Sequence, residues 1–216
     1  MSKTTLRITE IFYSLQGEAR SAGTPTVFIR LTGCPLRCGY CDTAYAFTGG
    51  VLYEIEQVLQ EVSNFNTRHI CVTGGEPLAQ PECIDLLAAL CDRGYAVSLE
   101  TSGALDVARV DTRVSKVMDI KTPGSQEEAR NRYENLPFIT AHDQIKFVIC
   151  DENDYRWANA MVQQHGLSEL TADVWYSPVH GQLDPTQLAE WILRDQMSVR
   201  MQLQLHKLLW DDARGK

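Results

Sequence analysis

Apolar residues in this chain recur with period two in some segments and period 3.6 in others, and the two kinds of segment take turns. A β-branched and aromatic run over residues 26–32 ends at Gly33. Ile55, Val58, Leu59 and Val62 then fall on one face of a helix. Residues 69–73 read as a second strand, halted by Gly74 and Gly75. The next helix carries Cys83, Ile84, Leu86, Leu87, Leu90 and Cys91 on one side and stops at Gly94. Further strands are expected over 95–100, 115–120, 144–150 and 173–176, and a helix over about 152–165 with Gly166 as its stop. Ser125 and Glu128 have capping-box spacing and predict a short charged helix. Asp184 as N-cap, Pro185 in the first turn and Gln187 predict another, with Leu183 and Leu188 placed as a hydrophobic staple. Residues 199–205 are a candidate last strand. Such alternation implies parallel pairing through right-handed crossovers. Six strands fall short of the eight of a closed barrel, so the expected fold is α/β, a partial, open parallel β/α barrel of about six strands. No repeat or linker divides the chain, and residues 1–216 are expected to form a single domain.

Composition narrows the function. There are 28 acidic and 20 basic side chains, a formal net charge of −8, which argues against nucleic acid or an anionic membrane surface as the main partner. Hydrophobic residues at 44% and charged residues at 22% exclude a disordered chain. No apolar run approaches the roughly 20 residues of a membrane span, and residues 1–10 lack the layout of a signal peptide. A cytoplasmic protein is expected. Its seven cysteines are therefore not expected to form a disulfide framework. Cys71, Cys83, Cys91 and Cys150 sit singly in apolar segments and read as core. Cys34, Cys38 and Cys41 crowd into eight residues rich in glycine and proline.

Thiolates at CxxxCxxC spacing suit a soft metal or a cluster. A structural zinc takes four ligands, of which this loop supplies three, with mid-strand Cys71 as a conceivable fourth. Three cysteines around a 4Fe–4S cube leave one iron free to bind a small molecule. The loop follows the first strand, Thr73-Gly74-Gly75-Glu76-Pro77 the second, and Glu100-Thr101-Ser102-Gly103 the third. Ligands collect at such strand ends in parallel α/β folds. Parity adds Arg30. Val27, Ile29 and Leu31 share one face of their strand and Phe28, Arg30 and Thr32 the other. Both faces of a parallel sheet are normally covered, so Arg30 is expected to be partly buried and to need an anion, either an internal carboxylate or a ligand. Alternation continued through Gly33 would put Cys34 on the same side.

The motif CxxxCxxC with an aromatic residue before the last cysteine, here Tyr40, resembles the signature of the radical S-adenosylmethionine superfamily. Gly74-Gly75-Glu76-Pro77 is similar to that superfamily's segment for the methionine amino group; alone it also reads as a tight turn before a helix. Residues 11–18 alone read as a strand entering a glycine turn; with them, Arg30 and the Asp42-Thr43 pair, the chain resembles the 7-carboxy-7-deazaguanine synthase family, densely to about Gly103 and more loosely beyond. It departs from the family pattern at Ala19, where glycine is usual, and at Asp119-Ile120-Lys121, where Ser-Pro-Lys is common.

The resemblance implies radical-mediated ring contraction of 6-carboxy-5,6,7,8-tetrahydropterin to 7-carboxy-7-deazaguanine with loss of ammonia, on the route to queuosine. A reduced 4Fe–4S cluster would cleave S-adenosylmethionine to methionine and a 5′-deoxyadenosyl radical that takes a substrate hydrogen. It implies Cys34, Cys38 and Cys41 as cluster ligands and Thr43 as a Mg2+ ligand. Leu15, Gln16, Gly17, Arg30 and Thr73 would contact the pterin, with Arg30 on its carboxylate. Tyr40, Cys41, Asp42, Gly75, Asp119, Ile120, Lys121, Ser177, Pro178, Val179 and His180 would contact S-adenosylmethionine, and Glu76 is a weaker candidate. An electron donor such as flavodoxin or ferredoxin and a homodimer are also implied. His206 matches a C-terminal family pattern without an assigned role. The rivals are a glycyl-radical-enzyme activase, which can carry an Asp-hydrophobic-Lys segment, and a non-catalytic iron–sulfur or zinc module.

Overall fold

The computed structural model describes residues 4–211 and 213–216. In chain order the elements are β1 (Thr5–Leu15), β2 (Pro25–Leu31), β3 (Val51–Glu54), α1 (Ile55–Val62), β4 (His69–Gly74), α2 (Cys83–Asp92), β5 (Ala96–Thr101), β6 (Ser115–Asp119), β7 (Gln144–Ile149), α3 (Glu152–Gln164), α4 (Leu167–Leu170), β8 (Val174–Pro178), α5 (Pro185–Arg194), β9 (Arg200–Met201) and α6 (Leu205–Trp210). Among the described residues nine strands make one open sheet in the order β3-β1-β2-β4-β5-β6-β7-β8-β9. Pairing is parallel from β2 to β9, while β1 joins β2 and β3 joins β1 antiparallel. The six strands expected from the sequence are β2 and β4 to β8. No described helix is long and apolar enough to cross a membrane.

Each parallel strand turns alternate side chains to opposite sides, and this divides core from cavity. Val27, Ile29, Leu31, Ile70, Val72, Val97 and Leu99 pack on α1 and α2 through Val58, Leu59, Val62, Leu86, Leu87 and Leu90. Ile145, Phe147, Ile149, Val174 and Tyr176 pack on α3 and α5 through Tyr155, Ala158, Val162, Leu188 and Ile192. Asp184 accepts from the Thr186 amide as N-cap of α5, and the staple residues Leu183 and Leu188 are both buried. The opposite face of the strands carries the polar residues.

Two local expectations fail, and the sheet is wider than expected. The chain after β6 forms short 3-10 turns, Pro123–Ser125 and Glu128–Arg130, instead of a helix. The Ser125 hydroxyl is engaged by the Thr122 carbonyl and the Glu127 amide, and Gln126 sits at φ +65°, off the right-handed path. Residues 199–205 give a two-residue strand: the Gln202 amide still donates to the Tyr176 carbonyl, but by Leu205 the backbone bonds Gly17 and opens α6. Two antiparallel strands, β1 and β3, extend the sheet beyond the expected six. The first agrees with the reading of residues 11–18 as a strand entering a glycine turn, and only β3 lacks a counterpart in the sequence reading.

Candidate active site

A cavity of about 390 Å³ opens at the carboxyl ends of the parallel strands, within the range of small-molecule sites. Cys34, Cys38 and Cys41 line it together with Tyr40, Asp42 and Thr43. Leu15, Gln16, Gly17, Arg30, Thr73, Gly75, Asp119, Lys121, Val179 and His180 line it as well. Ile120 does not: its side chain is buried in the core. Ser177 is buried behind the wall, its hydroxyl accepting from Gln202, and Pro178 borders a neighbouring groove. A cofactor could meet Ile120 and Ser177 through their backbone, not their side chains.

The cysteine loop is held by backbone. The Gly33 amide donates to Ala46, and the Gly39 amide to Ser125. On its other side the Glu76 amide donates to the Gly33 carbonyl at 2.8 Å. A Cβ on Gly75 would stand 2.3 Å from that carbonyl oxygen, so this glycine is required by the close approach of two chain segments. Glu76 itself points away. It is fully buried and accepts from the Leu78 amide, the Thr101 hydroxyl and the Ser102 amide, clamping the exits of β4 and β5. Burial raises its pKa, against the lowering effect of these bonds.

Arg30 meets both expectations raised for it. It lines the cavity, and its Nε donates to Glu10 at 2.7 Å. Glu10 is its cross-strand register partner on β1 and is also bonded by the Tyr45 hydroxyl. The guanidinium lies near the rings of Phe12 and Tyr45, each 5.8 Å from centroid to Cζ. The terminal nitrogens are thus aimed by a packed frame.

The donor set fits a cluster and a polar ligand. All three loop cysteines are free thiols of intermediate exposure, and burial raises the pKa of Cys34 and Cys38. Among the described residues no three His, Cys, Asp or Glu side chains converge on a point that would hold a single ion. A cube whose irons are separate corners does not need such convergence. The Tyr40 hydroxyl is buried without a hydrogen-bond partner, the kind of group a bound polar molecule satisfies.

The sequence reading missed a charge network on the cavity floor. Lys146 on β7 lies 2.7 Å from Glu18, 3.4 Å from its register partner Asp119 and 3.7 Å from Glu100. Lys121 binds Asp119 at 2.6 Å. Burial disfavours the charge on Glu18, but the Lys146 ammonium outweighs it and holds the carboxyl at about 2. The parity argument used for Arg30 would have found Lys146, since Ile145, Phe147 and Ile149 flank it on the core side.

His206, on α6, closes another wall. The Leu205 amide donates to the Gly17 carbonyl, and a Cβ on Gly17 would lie 2.2 Å from the His206 ring. Burial lowers the pKa of this histidine. Gly17→Ala is expected to push the ring aside and cut product formation by on the order of 10–100-fold with the melting temperature little changed. Unaltered ring resonances of His206 in NMR spectra of the variant would contradict this.

Residues 28–119 match the Radical SAM superfamily model. A 7-carboxy-7-deazaguanine synthase from Chlorobaculum tepidum is 46% identical over 214 residues, 97% of each chain. The chain belongs to the 7-carboxy-7-deazaguanine synthase family. Another member, from Koribacter versatilis, is 42% identical over 95% of this chain and 97% of its own. A crystal structure of QueE from Escherichia coli shares the fold, with a TM-score of 0.77 at 22% identity over 94% of this chain and 95% of that one. As a member of this radical S-adenosylmethionine family the chain is an enzyme of the lyase type that works with a 4Fe–4S cluster and S-adenosylmethionine. Ala19 occupies φ +64°, the left-handed region that favours glycine, and its amide is fixed by Gln202.

Proposed function

We propose that this enzyme contracts 6-carboxy-5,6,7,8-tetrahydropterin to 7-carboxy-7-deazaguanine and releases ammonia, a step toward queuosine and other 7-deazaguanines. The observation that carries the reading is one cavity joining the three loop cysteines to Arg30, in a chain 46% identical to a protein of that name. Cys34, Cys38 and Cys41 would hold the cluster through three irons. When bound and reduced, the cluster supplies the electron that splits S-adenosylmethionine and yields a radical able to take a hydrogen atom. The chain's own residues bind, aim and shield. Tyr40, Asp42, Gly75, Asp119, Lys121, Val179 and His180 surround the cofactor, with Ile120, Ser177 and Pro178 in supporting positions. Leu15, Gln16, Gly17 and Thr73 read the pterin, and Thr43 offers its hydroxyl to Mg2+ alongside substrate oxygens.

Arg30 holds the substrate carboxylate. Its Nε is anchored on Glu10, leaving the fork of terminal nitrogens for a two-pronged contact. Arg30→Lys should lower kcat/KM by roughly 10–100-fold, the worth of about 1.5–3 kcal/mol for a charge-assisted bond. Iron content should stay at the wild-type level. Equal kcat/KM in the two proteins removes Arg30 from the substrate site.

A flavodoxin or ferredoxin as electron donor, a homodimer, a cytoplasmic location and a single catalytic domain spanning 1–216 complete the proposal. Anaerobic incubation with carboxytetrahydropterin, dithionite and S-adenosylmethionine, read by mass spectrometry, tests it. Deazaguanine product supports the reading. Methionine release without product favours an activase, and a colourless reconstituted protein favours a zinc module.

A further inference from the structure

The floor of the cavity holds one more carboxylate than it holds ammonium groups. Glu18 comes from the turn after β1, Glu100 from β5, Asp119 from β6 and Lys146 from β7, with Lys121 just past β6. All five side chains are less than one-fifth exposed. Glu18 takes the short contact with Lys146 and a second bond from Gln204 at 2.8 Å. Asp119 has Lys121 at 2.6 Å and Lys146 at 3.4 Å. Glu100 stands furthest from its cation, at 3.7 Å. The other groups around this floor bring no relief. Arg30 is paired with Glu10, Lys207 on α6 with Asp42 at 3.7 Å, Cys71 on β4 is a fully buried thiol, and burial disfavours the charged form of His206. Three like charges sharing two buried cations are one charge in excess, so the least well-held carboxyl keeps its proton.

We propose that Glu100 is the proton carrier of the reaction, giving its proton to the ring nitrogen that leaves as ammonia and recovering one from a ring carbon, with Lys146 as its positioning residue. The inference rests on the reaction proposed above. The C–N bond breaks with its electron pair on nitrogen, which Glu100 protonates. The C–H bond breaks with its pair entering the new aromatic ring, and that proton returns to Glu100. The two transfers cancel, and neither needs an oxidant or a reductant. Burial, with Glu18 and Asp119 alongside, outweighs Lys146 and lifts Glu100 to about 7, where a carboxyl can act in both directions.

Glu100→Gln keeps the volume and removes the exchangeable proton. Infrared difference titration of the metal-free protein should show a carboxyl band that disappears near neutral pH in the wild type and is missing from the variant. In the loaded enzyme, deuterium transfer from labelled substrate into the adenosyl group should persist while ammonia and product form roughly 100-fold more slowly or worse. Glu100→Asp should restore part of the turnover and its pH dependence. Product at the wild-type rate and pH profile in Glu100→Gln overturns the proposal. So does loss of deuterium transfer together with product, which would make Glu100 a substrate anchor, and so does absence of the titrating band in the wild type. A wild type that makes no deazaguanine while the band titrates overturns the reaction and both transfer steps, yet leaves Glu100 identified as the protonated carboxyl.

Discussion

Cys38→Ala folds, stays colourless after anaerobic reconstitution and cleaves S-adenosylmethionine no faster than background. The loop's shape does not depend on the thiol. Gly33, Gly39 and Glu76 fix it through backbone bonds, the Arg37 guanidinium donates to the Cys34 and Leu36 carbonyls, and the Arg37 amide is held by Glu127. The metal-free variant should therefore lie within about 0.5 kcal/mol of wild type in urea unfolding, as for a substitution at a partly exposed site. The thiol is nonetheless indispensable to the cluster, because the other two loop cysteines hold two irons at most. Burial raises the Cys38 pKa, so deprotonation comes with metal binding. Cys71→Ala is the control. That thiol sits on β4 and is fully buried, and iron content should not change. Wild-type iron in Cys38→Ala would disprove the ligand assignment.

Lys146→Met should destabilise the metal-free protein by about 3–5 kcal/mol, because it leaves Glu18, Glu100 and Asp119 buried around a missing charge. The expected fall in melting temperature is on the order of 10 °C for a chain this long. The deficit depends on pH in a defined direction. In the wild type Glu18 is held at about 2 against its ordinary 4.5, so its contribution is complete above 4.5 and is lost as the pH falls toward 2. Without Lys146 the carboxyl pKa values rise, and their ionisation then costs stability as the pH goes up. The difference between variant and wild type should therefore widen from pH 5 to pH 8. Urea unfolding at those two values measures it, and an equal deficit at both would show that Lys146 stabilises by packing its stem.

The architecture was legible because burial imposes periodicity. Alternation in residues 26–32 separated Ile29 and Leu31 on the helix-covered side from Phe28 and Arg30 on the cavity side, as found. The cysteine loop was legible because its ligands are close in sequence. Of the antiparallel strands, β1 was legible as a strand entering a glycine turn, though not its pairing with β2; β3 was not legible, because it holds four residues with Val51 and Leu52 exposed. The helix expected from Ser125 failed because its hydroxyl serves a local turn, which capping spacing cannot distinguish from a helix start.

The order of residues by itself determined the strand–helix alternation, the three-thiol loop and the side of β2 on which Arg30 stands, because each depends on neighbours a few positions away. Only the tertiary structure decided which carboxylate Arg30 takes, that Glu76 is a clamp, and that Lys146 stands among Glu18, Glu100 and Asp119. Those contacts join strands far apart in the chain, and charge balance in a buried space depends on which groups the fold brings together.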